Sequence, residues 1–295
     1  MRAFLAEYTV FHDPALATEG KAMMAVLSGS FSRCGYEVVT PRSGDLMAEI
    51  ETLAPDCDVG LVIAPDSLLA PLTKKVEDCT ENLGCNSLNV ALCANKKQSL
   101  KVLAAHGIPV PAEQTEGLKV VKPVYSCDTA NTRLTEDAPG EGEMGQEYIG
   151  GESMSVSLVV NRYVGEACLF YTGRPPLVLS LNRQHIPLED GVFTYMGGET
   201  PIDHPMKEEI IETAVKAASV IGCQGYAGVD LVVTDRPYVL EVNPRPTTSL
   251  VGIAACMKEE IAQVLVDASR GMAPESVSLT GRVRFDRNGK VERLL

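Results

Sequence analysis

The chain contains no tryptophan, and only 5% of its residues are aromatic. Its four histidines, at positions 12, 106, 185 and 204, fall at no metal-binding spacing, so a histidine-ligated zinc centre is not expected. None of the nine cysteines forms a CxxC pair. The local group Cys79, Cys85 and Cys93 matches no common zinc or iron–sulfur pattern, and free, mostly buried thiols are the expectation. No GxxxxGK[ST] segment occurs, which excludes a Walker-type phosphate loop. No apolar run approaches the roughly 18 residues of a membrane span, and acids appear early in MRAFLAEYTVFHD. The sequence therefore reads as cytoplasmic, with no membrane partner. Positive charge is also in deficit: 26 basic against 39 acidic side chains, a net charge of −13. That balance argues against nucleic acid as a partner and leaves any anionic ligand to a few placed lysines.

Hydrophobic residues make up 45% of the 295 positions, enough for two or three small lobes. The first 92 residues alternate short strands and helices. RAFLAEY, YEVVT, DVGLVIA and LNVALC read as strands, and Ala17–Phe31 and Ser67–Val76 as helices. This βαβ alternation predicts a small doubly wound lobe. Glu7, Glu19 and Asp66 stand near the starts of loops or helices, where capping is a simpler reading than substrate contact. Asn95 caps a helix from Lys96 to His106. Lys96 sits in its first turn, where the helix dipole opposes an ammonium. A bound anion accounts for it better than helix stability does, although Lys97 beside it shows that a solvated lysine is also ordinary.

In the strand LKVVKP, Lys122 projects from an otherwise apolar run and calls for a partner, for which a phosphate is suited. DAPGEGEMG has the spacing GxGxxG, but Glu141 and Glu143 would repel a pyrophosphate and no helix follows, so it reads as a turn. Val156–Val160 and Glu166–Tyr171 read as a strand pair. The strand Leu177–Leu181 leads into NRQHIPLEDGVFTYMGGETP, whose donors Asn182, Arg183, Gln184 and Tyr195 favour a substrate role over a plain loop. A helix from Pro205 to Ile221 follows. After Pro246 come a small-residue loop at Thr247–Ser249 and Gly252, a helix from Met257 to Arg270, and a tail hairpin about Asn288-Gly289.

Tyr226 to Pro246 reads as a β-hairpin with Asp235-Arg236 at its turn. A symmetric turn there pairs residues whose numbers sum to about 471, which sets Asp230 opposite Glu241 and puts Asn243 on the face of Glu241. Two carboxylates side by side repel each other unless a cation lies between them, and all-oxygen donors suit Mg²⁺ or Mn²⁺ rather than zinc. The alternative is a strand end whose polar residues cap a loop. An odd slip in register would send one carboxylate to the far face.

The ordered set NKKQSLKVLAAHGIPVP, LKVVKP, QEYIGGE, GVDLVV and YVLEVNPRP resembles the ATP-grasp ligases, over residues from about 95 to 270. The resemblance implies an α/β ATP-grasp fold with a small Rossmann-like N-terminal lobe (1–92), a lid subdomain (93–147) and a C-terminal subdomain carrying the metal hairpin (148–295). It implies ATP with Mg²⁺ or Mn²⁺ held by Asp230, Glu241 and Asn243, phosphates met by Lys96 and Lys122, and adenine lined by Glu147, Tyr148 and Ile149. The ribose acid of the family falls on Ser153, with Glu152 beside it as the candidate. The implied activity is ligation of a small-molecule carboxylate to an amine through an acyl phosphate. FLAEY, EGKAMM, NRQ and Y-x-GG-x-x-P narrow the resemblance to members that use the γ-carboxylate of L-glutamate and tyramine. The alternatives are another amino-acid ligase or a nucleotide-binding module without turnover; homo-oligomerisation stays open. Two departures stand out. VYSCDTANTRL replaces the family's glycine-rich lid loop, which shifts the load to Ser126, Thr129 and Arg133. Gly228 replaces the arginine two residues before the metal aspartate, so the oxyanion's cation is expected from Arg245 or Arg183.

Overall fold

The computed structural model of the chain describes residues 1–126, 131–162 and 175–294. Its first sheet has two mostly buried, apolar strands at its centre and short strands with exposed glutamates at its edges. β1 (Arg2–Glu7), β2 (Glu37–Val39), β3 (Val59–Ile63) and β4 (Glu81–Asn82) run parallel in the order β2-β1-β3-β4. Leu61 and Ile63 pack on one face of β3 and Val62 on the other, each in a separate hydrophobic cluster, so β3 is buried on both sides. The helices α1 (Thr9–His12), α2 (Ala17–Arg33), α3 (Leu46–Leu53), α4 (Asp66–Cys79), α5 (Ser87–Ala94) and α6 (Lys96–Ala105) interleave with and follow these strands. The doubly wound start is therefore as expected, with one correction. LNVALC is not a strand but most of α5, capped by the Asn86 side chain, which accepts from Asn89 N at 2.9 Å.

The second sheet is five-stranded and antiparallel: β5 (Lys119–Pro123), β6 (Arg133–Thr135), β7 (Glu143–Glu147), β10 (Leu188–Glu189) and β11 (Val192–Phe193), in the order β10-β11-β6-β5-β7. The third has seven strands. β8 (Glu152–Val160), β9 (Leu177–Gln184), β12 (Gly197–Thr200), β13 (Gly225–Val233), β14 (Pro237–Asn243), β15 (Arg282–Asp286) and β16 (Val291–Leu294) are ordered β14-β13-β8-β9-β12-β15-β16. α7 (Lys207–Ile221) covers one face of this sheet through Ile210, Ala214, Ala217, Ala218 and Ile221. α8 (Ser249–Cys256) and α9 (Ile261–Ser269) pack into the second cluster with α2. The expected small-residue loop after Pro246 is thus a correction: from Ser249 on it is the buried helix α8. Its Gly252 lets Phe285 of β15 approach, since a Cβ there would come 2.6 Å from the Phe285 ring. The expected strand Glu166–Tyr171 and the candidate Thr129 lie outside the described residues. Among the described residues the cysteines are free thiols, and no helix is long and apolar enough to cross a membrane.

Both hydrophobic clusters draw on the first and third sheets, so the N-terminal and C-terminal parts share their cores. One cleft opens where the C-terminal end of β3, the start of α6, β5 and the β13–β14 hairpin converge.

Candidate functional site

The hairpin brings its acids together by two offsetting deviations. Near the turn, Val233 pairs with Pro237 and Leu231 with Val239, one residue out of the symmetric register. A bulge at Leu240 then restores it, so Asp230 pairs with Glu241 and Gly228 with Asn243. Without that extra residue in the ladder, the three-residue turn would set Asp230 opposite Leu240 and turn Glu241 toward the core. With it, Val239 and Val242 both enter the core while Glu241 and Asn243 line the cleft. Asp230 accepts from Gln184 Nε2 and from Asn243 Nδ2, each at 2.9 Å. Its carboxyl is pushed up to about 7, first by withdrawal from water and then by the Glu241 carboxylate.

Two lysines face these acids. Asn95 caps α6 by accepting from Gln98 N at 3.1 Å, which fixes Lys96 at the first helical position. Lys96 is 2% exposed; its Nζ lies 2.9 Å from Asp66 Oδ2 and 2.9 Å from Glu241 Oε1, and it also donates to the Ser126 carbonyl. Burial works against its charge, but Glu241 and Asp66 outweigh burial and hold its pKa up at about 12. Lys122 of β5 is 8% exposed and reaches the bulge, donating to the Leu240 carbonyl at 3.4 Å. Burial drives its pKa down to about 8.

Of the two arginines that the sequence offers for an oxyanion, Arg245 lines the cleft. At Gly228 a Cβ would come 2.8 Å from Thr247 Cγ2, so Thr247 fills the space a side chain on β13 would need. Arg183 does not join the site. It points to the other side of β9 from Gln184 and pairs with Glu152 at 3.1 Å, and His204 lies 3.7 Å from the same carboxylate. Glu152 is therefore engaged on that outer face as well. Glu147, Tyr148 and Ile149 end β7 and its turn outside the cleft lining, the Tyr148 ring lying 6.3 Å from that of Phe193. After β5, Ser126 lines the cleft, whereas Arg133 is held by Glu143 at 2.6 and 2.8 Å. That pair, and the Gly140 N–H, also account for Glu143 in the rejected glycine motif.

Three acids read as caps also surround the cleft. Glu7 is one in fact: it accepts from Val10 N at 2.8 Å and from Thr9 Oγ1 at 2.8 Å. Glu19 accepts from Thr248 Oγ1, and Asp66 meets Lys96 and Arg245. Gln184 was legible as a donor after an apolar strand. Asn182, by contrast, is fully buried and serves the core, donating to Ser155 and Ser157 and accepting from Thr200.

The cleft has a volume of about 210 Å³. Its donor chemistry fits a hard divalent cation: two neighbouring carboxylates, one of them resisting ionisation, and the amide oxygen of Asn243, whose nitrogen is turned to Asp230. Among the described residues no three His, Cys, Asp or Glu side chains converge as a cage, and a Mg²⁺ site completed by phosphates needs none.

Residues 93–249 match the sequence model of the ATP-grasp domain. The chain is 33% identical over 213 residues to tyramine–L-glutamate ligase of Methanocaldococcus fervens, a match covering 71% of this chain and 65% of that protein. The chain thus spans just under two thirds of that relative. A solved structure from Archaeoglobus fulgidus, described as an ATP-grasp superfamily protein, aligns over 96% of this chain and 92% of its own at 28% identity and a TM-score of 0.76. D-alanine–D-alanine ligase of Bacillus anthracis, complexed with ATP, aligns over 92% of this chain and 97% of its own with a TM-score of 0.67; at 21% identity this is a likeness of fold.

Proposed function

Because the chain belongs to the ATP-grasp family, we propose that it is an ATP-dependent carbon–nitrogen ligase whose substrates are the γ-carboxylate of L-glutamate and tyramine. The observation that carries the reading is the meeting of two buried lysines and a carboxylate pair across one cleft. Mg²⁺ or Mn²⁺ held by Asp230, Glu241 and Asn243 would neutralise phosphate oxygens and leave the γ-phosphoryl group open to a carboxylate. Lys96 and Lys122 bind and orient the phosphates from the opposite side. Arg245 meets the oxyanion that forms when the amine attacks the acyl phosphate; ADP and phosphate leave. The substrate pair rests on the similarity to tyramine–L-glutamate ligase over 71% of the chain.

The test is an ADP-release screen with Mg²⁺, crossing amino acids with amines. A ligase releases ADP when carboxylate and amine are both present. A phosphotransferase needs a single acceptor, and a binding module releases none. Release with L-glutamate and another amine would move the substrate assignment and keep the reaction. Glu241→Ala is expected to abolish release while circular dichroism and the melting temperature stay near the wild type. Retained turnover would remove the metal assignment.

A further inference from the structure

Asp66 is 5% exposed and is the first residue of α4, directly after Ile63, Ala64 and Pro65, which line the cleft. Asp66 itself is not part of that lining. Its two oxygens are divided between cations from two other parts of the chain: Oδ2 lies 2.9 Å from Lys96 Nζ at the start of α6, and Oδ1 lies 3.8 Å from Arg245 after β14. A helix cap requires neither contact. The cleft and its edge carry more acids than bases, with Asp66, Asp230, Glu241, Glu7 and Glu19 against Lys96, Lys122 and Arg245. Glu241 is shared with the divalent-ion seat, whereas Asp66 has no second role there. Asp66 is therefore the carboxylate left to hold Lys96 when a polyanion competes for it.

We propose that Asp66 is a positioning residue of this cleft: it aims Lys96 at the nucleotide phosphates and Arg245 at the reacting centre, and touches neither substrate. The Arg245 half of this statement rests on the ligase reading; the Lys96 half needs nucleotide binding alone. The sign of the effect separates position from charge. Removing one negative charge from the site would by itself tighten a polyanion. Releasing Lys96 to Glu241 and the Ser126 carbonyl would withdraw it from the phosphates and weaken binding.

The experiment is a double-mutant cycle on the full chain, with the affinity for a non-hydrolysable ATP analogue and Mg²⁺ read by calorimetry in wild type, Asp66→Asn, Lys96→Met and the double variant. Asp66→Asn is expected to weaken binding at least about fivefold in the wild-type background and less than about twofold in the Lys96→Met background, because the effect passes through that lysine. Asp66→Glu, which keeps the charge, is expected to recover more than half of the lost affinity and decides the matter if the Asn variant does not fold. Unchanged or tighter binding in Asp66→Asn, or equal weakening in both backgrounds, overturns the proposal. If wild type releases no ADP with any substrate pair, the ligase reading falls while this cycle still reports on Asp66. If wild type turns over and Asp66→Asn leaves kcat unchanged, the Arg245 half falls alone.

Discussion

Replacing Lys122 with methionine separates what the cleft does for binding from what it costs the fold. Lys122 is buried, and its ammonium has the Leu240 carbonyl at 3.4 Å as a partner. Lys119, three residues earlier and fully buried, instead has two carbonyls at 2.9 Å. Burial lowers the pKa of Lys122 from 10.5 to about 8; Glu241 opposes the fall and Lys96 adds to it. At about 1.4 kcal/mol for each tenfold change in proton equilibrium, the charged form costs the free protein about 3 kcal/mol. Between pH 8 and 10.5 the unfolded chain keeps a proton that the folded chain has released, so wild-type stability rises through that window. Below pH 8 the cost is present in full, and above 10.5 it is gone. Methionine has similar length and no charge. Lys122→Met is therefore expected to be more stable than wild type at pH 7, by up to about 3 kcal/mol in urea unfolding, and the difference should vanish by pH 10.5. Its affinity for an ATP analogue should fall at least about tenfold, because a charge-assisted contact to phosphate is lost. A variant less stable than wild type at pH 7 that binds nucleotide normally would refute the reasoning and make Lys122 a structural cation.

Removing the cap in Asn95→Ala should cost about 1 kcal/mol and lower the melting temperature by a few degrees, read by calorimetry, with the larger share of the loss in α6. Arg245→Ala should lower kcat by about a hundredfold with little change in nucleotide affinity. Gly228→Arg added to that variant, which places an arginine at the position the resemblance implies, should not restore activity and should lower stability, because Thr247 already occupies the space. Recovery of turnover in the double variant would show that the two positions are interchangeable.

The α/β fold and the hairpin were legible because their signals are strong: continuous apolar strands, the cap at Asn95, and paired acids in an apolar ribbon. LNVALC was not, since a six-residue apolar run fits a buried strand or a buried helix equally well, and the deciding signal was the Asn86 cap just ahead of it. Ser249–Cys256 misled by its small residues, which make room for Phe285 rather than for a loop. At the cleft, Lys96, Lys122, Asp230, Glu241, Asn243 and Arg245 come together, and Arg183 and Glu152 pair elsewhere. The difference for Arg183 is strand parity: Gln184 next to it faces the cleft, and neighbours on a strand face opposite ways. Asp66 looked like a cap because its partners are 30 and 179 residues away, beyond what local pattern reports.

The bulge at Leu240 and the three-residue turn are matched parts: Asp230 and Glu241 meet in step because one offset cancels the other. A residue gained or lost at 234–236 would carry its shift along the ladder to the acids. The tip is accordingly free to exchange side chains, though not to change length. Leu240 itself is not, because its backbone is at once the joint and the resting place of a lysine.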